Sequence, residues 1–421
     1  SCVKYCSEVG ALSGCDRGIF LSNEMSLTLA FVIFCLSSAL GRFHFDADSL
    51  RNASALIVSK GYPVEDYTAV TEDGYLLGMQ RIAYGRNETP THGSEQKPVV
   101  LVIHGLVVSS ADFVVNFPEQ SLGFILADAG YDVWLGNLRG NIYTSHVRYS
   151  KEDRDFWDFS FDEMMEYDVP AMIDKALGTT NETKLYYVGF SQGSLVLFGA
   201  LAEKPSYNDK VALFMAMGPI AYIGHMTSVA VLVIPFAEII VELVELTTIG
   251  GVLEPNWLSL LSAILVCGGD TTVGVCLGIM ETINGIDWSQ LNVTRLPVYA
   301  THSPAGTSIY NLYQFAQNYR CDCFRKYDHG PLKNILKYGS TQPPKYDVTL
   351  IRAPVALYHS NGDVYAVPQD VSRLESELPN VVRSYLVTDE KFTHYDFSIG
   401  MHAADLVYND MLQLMKQYPS R

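Results

Sequence analysis

The chain reads as a doubly wound α/β protein: a mostly parallel sheet covered by helices on both faces and interrupted by an inserted, mainly helical subdomain. Three observations predict this. From residue 98 onward, short unbroken apolar runs recur at residues 99–103, 131–135, 185–190, 211–217, 354–359 and 381–387. Unbroken rather than alternating hydrophobicity is what strands buried on both faces of a parallel sheet require. Helix-prone stretches lie between the runs, so strand and helix alternate as in successive βαβ units. One interval, from Met217 to Pro354, far exceeds an ordinary crossover and is assigned to a cap inserted over about residues 219–345.

Ahead of those runs, Thr71-Glu72-Asp73-Gly74 separates two strand-like pieces and predicts an early β-hairpin. Ser160 with Glu163 three residues on is a capping box and predicts a helix start. Within the insertion, residues 229–246 are very apolar, with Glu238, Glu242 and Glu245 on one helical stripe. That spacing argues against a membrane span and for an amphipathic helix, whose apolar face meets either lipid or the sheet.

Composition narrows the functional class. With 421 residues, 48% of them hydrophobic and 18% charged, the chain can bury one large core or two ordinary ones. A net charge of −17, with 29 Lys and Arg residues forming no run, excludes a nucleic-acid partner. Residues 27–39 are an apolar run too short to span a bilayer and end in small residues, which predicts a signal peptide over 25–41. Residues 1–24 precede Met25 and are read as an extension outside the natural product, and 42–421 as the folded domain. Losing 1–41 removes Cys2, Cys6, Cys15 and Cys35 and leaves Cys267, Cys276, Cys321 and Cys323, which suggests disulfides in an exported chain. Asn52, Asn87, Asn181 and Asn292 each open an Asn-x-Ser/Thr sequon and are candidate glycosylation sites.

The chemistry concentrates at Gly189-Phe190-Ser191-Gln192-Gly193. A Gly-x-Ser-x-Gly string is common by chance, but this one follows a buried-strand run and opens a helix-prone stretch, the strand-turn-helix setting of a nucleophile elbow. Gly189 and Gly193 fit a turn that holds serine in a strained conformation with no room for flanking side chains. A serine hydroxyl needs a base. In an α/β-hydrolase the order is Ser, Asp, His, each on a loop leaving the C-terminal edge of the sheet. Of His225, His302, His329, His359, His394 and His402, His394 follows the last predicted strand in a loop, and it is preferred over His402 on the closing helix. Asp363 directly follows the strand run 354–359 and is preferred over Asp370, which reads as a solvated first-turn carboxylate. For the oxyanion, one backbone N–H falls to Gln192 and a second to Leu106, in the loop after 99–103. His104 reads as a packing and hydrogen-bonding residue. No histidine and carboxylate cluster has ligand spacing, so neither metal nor organic cofactor is expected.

At these residues the chain resembles the animal acid lipases, the gastric and lysosomal type, over about residues 55–418. The likeness rests on Thr71-Glu72-Asp73-Gly74-Tyr75, His104-Gly105-Leu106, the run FILADAGYDVWLGNLRG at 124–140, residues 159–164, Ser191-Gln192-Gly193, HSPAGTS at 302–308, Gly362-Asp363 and Pro368-Gln369-Asp370-Val371. The resemblance implies hydrolysis of triacylglycerols or sterol esters at a lipid–water interface, a cap with a movable lid, a triad on Ser191, Asp363 and His394, and a bridge between Cys267 and Cys276. Two features depart from the family: Phe190 stands where it carries histidine, and Cys321 and Cys323 have no counterpart. The expected protein is thus a serine ester hydrolase of the secretory pathway, secreted or lysosomal. Two rivals are a carboxylesterase for soluble esters and a non-catalytic lipase-like lipid carrier, though a carrier has no reason to keep all three triad residues.

Overall fold

The chain enters its fold through an antiparallel hairpin, β1 (Glu65–Val70) and β2 (Tyr75–Ile82), whose turn is the predicted Thr71-Glu72-Asp73-Gly74. In the computed structural model, which describes residues 45–88, 96–285 and 287–420, the strands that follow are β3 (Val99–Ile103), β4 (Asp132–Gly136), β5 (Thr144–His146), β6 (Leu185–Phe190), β7 (Val211–Met217), β8 (Gly251–Val252), β9 (Thr307–Ser308), β10 (Val355–His359) and β11 (Val381–Leu386). The expected signal peptide at 25–41 and the expected extension before it lie outside the described residues. The main sheet has the order β1-β2-β4-β3-β6-β7-β10-β11, with β5 paired to β2. Every neighbouring pair from β4 to β11 is parallel. The apolar runs 99–103, 185–190 and 211–217 are strands to the residue, and the other three differ by one or two residues at their ends.

Both faces of the sheet are buried because strand side chains alternate. Val99, Leu101 and Ile103 point to one core, shared with α3 (Val169–Thr180), α4 (Gln192–Glu203) and α11 (Pro368–Glu377). Val100 and Val102 point to the other, shared with α1 (Ala53–Ser59), α2 (Leu122–Asp128) and α12 (Asn409–Met415). The Ser160–Glu163 capping box forms as read and opens the approach to α3.

Between β7 and β10 the chain leaves the sheet and builds α5 (Ala237–Thr247), α6 (Trp257–Gly268), α7 (Val273–Asn284), α8 (Leu296–His302), α9 (Ile309–Cys321) and α10 (Pro331–Tyr338), with β8 and β9 as a small separate ribbon. Cys267 on α6 is bridged to Cys276 on α7. Cys321 is bridged to Cys323, with Asp322 between them left-handed at φ 45° and the flanking Cα atoms 5.2 Å apart.

The expected helix over 229–246 is shorter than its hydrophobicity suggested. Pro235, which lacks an N–H, sits in the second of two 3-10 turns, and the α-helix begins at Ala237. Its orientation also differs from burial against the sheet. Glu238 meets Arg320 and the Tyr313 hydroxyl (3.2 Å), and Glu245 accepts from the Tyr310 hydroxyl (2.6 Å), so these acids face α9 while Glu242 is exposed. Phe236, Ile239, Leu243 and Leu246 face outward, Leu246 at 85% exposure. Ile234 and Ala237, packed with Ala316, are its small buried contact, and Val241 is also buried.

One buried cation ties the hairpin to the sheet. Arg139, in the loop after β4, donates to both Asp168 oxygens, from Nε (2.8 Å) to Oδ1 and from its backbone N–H (2.9 Å) to Oδ2, and to Asp73 of the hairpin turn (2.7 Å). Its guanidinium also lies 4.0 Å from the centre of the Tyr75 ring. Burial pushes the Asp168 carboxyl up to about 6 even with Arg139 against it. Arg139→Met leaves Asp168 without its cation and is expected to cost about 3–5 kcal/mol at neutral pH. A folded-state carboxyl raised above its unfolded value destabilises only where the unfolded carboxyl is ionised, so the loss should shrink as pH falls toward about 4. Urea unfolding at pH 7.5 and pH 4.5 measures both, and an equal loss at the two pH values would contradict this account.

Candidate active site

The turn from β6 into α4 places Ser191 at φ 54°, ψ −117°, outside the helical and extended regions. Such a backbone persists only where its surroundings enforce it. Here the enforcement is steric: a Cβ on Gly189 would lie 2.6 Å from the Gly193 carbonyl, and one on Gly193 would lie 2.2 Å from the Ile103 oxygen of β3. The Ser191 N–H donates to Met217 O (3.0 Å), fastening the turn to the end of β7.

Parallel strands end on one edge, and there three loops meet. His394 Nε2 is 2.7 Å from Ser191 Oγ, and His394 Nδ1 is 2.6 Å from Asp363 Oδ2. The other Asp363 oxygen, Oδ1, accepts the backbone N–H groups of Tyr365 and Ala366, both at 2.8 Å, so the acid is fully engaged. Asp363 and His394 are both buried. In this chain of hydrogen bonds the imidazole can take the serine proton while the carboxylate fixes its tautomer.

The loop after β3 comes against Ser191 at Gly105, where a Cβ would touch the Phe190 ring and Ser191 Cβ at 3.1 and 3.3 Å. His104 fastens this loop. Its Nδ1 contacts Gly105 O (2.8 Å), while Nε2 accepts from Leu138 N–H and Asn141 Nδ2, both at 3.1 Å. Burial pushes this imidazole down to about 4, so it stays neutral, in the structural role read for it. Val107, at φ 57°, accepts the Ala305 N–H (2.6 Å). Leu106 thereby borders the same cavity as Ser191. Gln192 is the first residue of α4, where amide N–H groups have no partner within the helix. Its side chain is committed elsewhere, to Asn311 (3.0 Å) and Met164 Sδ (3.1 Å). The cavity, about 760 Å³, is lined almost wholly by hydrocarbon, including Ile223, Met226 and Phe315.

The rival residues lie elsewhere. Asp370 is not solvated as expected: it is buried and holds the His225 N–H (3.0 Å) and Nδ1 (2.7 Å), because the segment before α5 folds over the start of α11. His402 lies in the turn ahead of the closing helical segment, its N–H on Gln290. His302 is buried between the Val298 and Arg51 carbonyls. His225, Asp322 and Asp370 bring three ligand-type atoms within 4.8 Å of one another, a cluster from three segments that sequence spacing could not show. The His225–Asp370 pair and Arg373 on Asp322 account for it.

Of the sequon residues, Asn87 and Asn181 are exposed. Asn52 and Asn292 are half-buried, their side-chain oxygens capping Ala55 N–H (2.8 Å) and Thr294 N–H (3.2 Å). Sequence reading missed two glycines. A Cβ on Gly218, at φ 53°, would lie 2.9 Å from the His394 ring and 3.3 Å from Asp363 Oδ2, and one on Gly362 would strike Phe392 O at 2.8 Å. The available signal was the Gly218-Pro219 pair directly after an apolar run. The Phe190 ring lies 5.0 Å from that of His394, tilted by 37°.

Models of the partial alpha/beta-hydrolase lipase region and of the alpha/beta hydrolase fold match residues 53–117 and 98–242. Gastric triacylglycerol lipase of Homo sapiens is 37% identical over 398 residues, covering 93% of this chain and 98% of that one. Lipase member N of Mus musculus is 37% identical over 369 residues, covering 87% and 91%. Among solved structures, a putative lipase from Sulfolobus solfataricus superposes with a TM-score of 0.53 at 12% identity, covering 85% of this chain and 99% of that one, a likeness of fold alone.

Gly218→Ala is expected to leave the circular dichroism spectrum native while lowering kcat on a dissolved ester at least about 100-fold, because the new methyl must displace the His394 ring. A kcat within threefold of the parent would show that the ring has room to spare.

Proposed function

The chain belongs to the α/β-hydrolase lipase family that includes gastric triacylglycerol lipase, and on that premise we propose that it cleaves triacylglycerols or sterol esters at a lipid–water interface through an acyl-enzyme on Ser191. The observation that carries this reading is the Ser191–His394–Asp363 hydrogen-bonded chain opening into a large hydrocarbon-lined cavity.

In the proposed cycle Ser191 Oγ attacks the ester carbonyl as His394 Nε2 takes its proton, and the oxyanion rests on the N–H groups of Leu106 and Gln192. His394 then protonates the leaving alcohol, and water, activated by the same imidazole, releases the fatty acid. The volume and apolar lining favour a long acyl chain over a small soluble ester. Residues 219–345 act as a cap, and α5 as its lid: the small buried contact of that helix and its outward Ile239, Leu243 and Leu246 suit a segment that opens onto lipid. Described residues contain no helix long and apolar enough to cross a membrane. The paired cysteines and four sequons support residence in the secretory pathway, secreted or lysosomal.

A fluorophosphonate should label the parent enzyme and not Ser191→Ala, whose kcat on emulsified triolein or cholesteryl oleate should fall by at least about 10⁴-fold. Cleavage of short dissolved esters alone would favour the carboxylesterase reading. Leu243→Ser with Leu246→Ser removes about 1.5–3 kcal/mol of apolar contact per side chain. Adsorption to emulsion droplets should drop more than tenfold while dissolved-ester hydrolysis is kept, and unchanged adsorption would place the lipid contact elsewhere.

A further inference from the structure

Helix α10 turns hydrocarbon toward water. Pro331 opens it at a position that needs no N–H, and Gly339, left-handed at φ 72°, closes it on Ile335 O (3.0 Å). The one buried side chain between those ends is polar. Asn334 accepts the His329 N–H (3.0 Å) and donates to Asp328 Oδ1 (2.7 Å) and Thr341 O (3.0 Å). With that amide turned inward, Leu332, Ile335 and Leu336 form an outward stripe at i, i+3 and i+4, and the two leucines are 80% and 87% exposed. Lys333 and Lys337, one turn apart and both exposed, border the stripe.

Charge sets this helix apart from the rest of the molecule. Residues 324–346 carry five cations, Arg325, Lys326, Lys333, Lys337 and Lys345, and one carboxylate, Asp328, in a chain of net charge −17. Arg325 pairs with Asp328 (3.1 Å), Lys326 pairs with Glu203 (2.7 Å), and Lys337 lies 3.9 Å from Glu163. Lys333 and Lys345 pair with no carboxylate among the described residues. Helix α10 also stands beside α5. Tyr338 donates to Tyr327 O (3.0 Å), and the Tyr327 ring lies 6.3 and 5.9 Å from those of Tyr310 and Tyr313, whose hydroxyls hold Glu245 and Glu238 of α5.

We propose that α10 is a second lipid-contact element, which docks on the substrate interface once that interface carries ionised fatty acid. The proposal rests on the lipase reading, because hydrolysis puts carboxylates on the surface where the enzyme works. A chain of net charge −17 is repelled by such a surface. On α10 the local sign is reversed. Its leucines enter the acyl layer while Lys333 and Lys337, on long apolar stems, reach the carboxylates at the edge of that layer. Product then retains the enzyme. A second copy of the chain is a poorer occupant, since a two-fold contact through this face sets each lysine pair against its twin.

The test is co-flotation of the full chain, carrying Ser191→Ala so that no turnover occurs, with phosphatidylcholine vesicles holding either no oleate or about 30 mol% oleate, at pH 8.5 and low salt. Leu332→Ser with Leu336→Ser should weaken binding to the oleate vesicles more than about tenfold. Lys333→Gln with Lys337→Gln should weaken it about tenfold, yet change binding to pure phosphatidylcholine less than about twofold. Added NaCl should erase the difference between the lysine variant and its parent. With Ser191 restored, both pairs of substitutions should keep kcat/KM on a dissolved ester within about threefold and unfold at the parent's temperature. Parent-like binding to oleate vesicles in the lysine variant overturns the proposal, as does an equal loss on both kinds of vesicle. So does a parent dimer that Leu332→Ser with Leu336→Ser dissociates while vesicle binding is unchanged, which assigns the face to a second copy. If the leucine variant does not fold, the lysine variant decides alone. Fluorophosphonate labelling and triolein turnover test the lipase reading separately, since vesicle binding involves no chemistry at Ser191.

Discussion

The backbone of one residue sets the terms for the rest of the molecule. Ser191 at φ 54°, ψ −117° has no intrinsic reason to stay there; left to itself, it would relax by something of the order of 1–3 kcal/mol. It stays because β6, β3 and α4 converge so closely that neither Gly189 nor Gly193 has space for a methyl. That convergence is a property of the sheet: β3 and β6 are adjacent and parallel, and Ile103 at the end of β3 supplies the carbonyl against which Gly193 packs. Burial on both faces of those strands makes the gap rigid. The placement of the Ser191 hydroxyl is therefore a product of the core rather than of the loop in which it sits.

The same edge explains why residues 172 and 203 positions apart in sequence can meet. Asp363 leaves β10 and His394 leaves β11, so the parallel order brings both loops to the side where β6 ends. Holding them there falls to groups with no chemical part: Ser360 Oγ donates to Phe392 O (2.6 Å), Gly362 lets the two loops touch, and Gly218 leaves the imidazole its place. Strands supply direction, and these small contacts supply the last ångström.

What could be read in the sequence follows from the range of the physics involved. Strands buried on both faces announce themselves as runs such as 99–103 and 185–190, and Ser191, Asp363 and His394 can be picked out because each sits at a fixed place after its strand. Contacts between distant segments leave no such mark. Asp370 reads as a solvated helix-start acid because its partner, His225, lies 145 positions away. The helix expected over 229–246 was misjudged for a different reason. Periodicity located its acidic stripe, but hydrophobicity alone says that apolar groups seek a partner, not whether the protein provides it. On α5 Glu238 and Glu245 turn to Tyr310, Tyr313 and Arg320, and Ile239, Leu243 and Leu246 are left outside.

Buried titratable groups give the fold a preference among pH values, and its direction can be worked out. Burial raises Asp112 to about 8, Asp396 to about 7, and Asp162 and Asp168 to about 6. Each favours the folded state increasingly as pH falls from its folded value toward the unfolded carboxyl range near 4, because the folded chain then holds protons that the unfolded chain has released. Burial lowers His104 to about 4 and also depresses His302, which acts in the opposite sense: the unfolded imidazole protonates below about 6.5 while the folded one resists. Asp48, held ionised by Lys60, Arg51 and Arg295 against the pull of burial, loses its contribution only in stronger acid. Acidification from pH 8 thus first engages Asp112 and Asp396 with no histidine opposing them, then meets the histidines below about 6.5. The two sets cross in mildly acidic solution, where Asp112 and Asp396 already hold their protons and the buried imidazoles have only begun to oppose them.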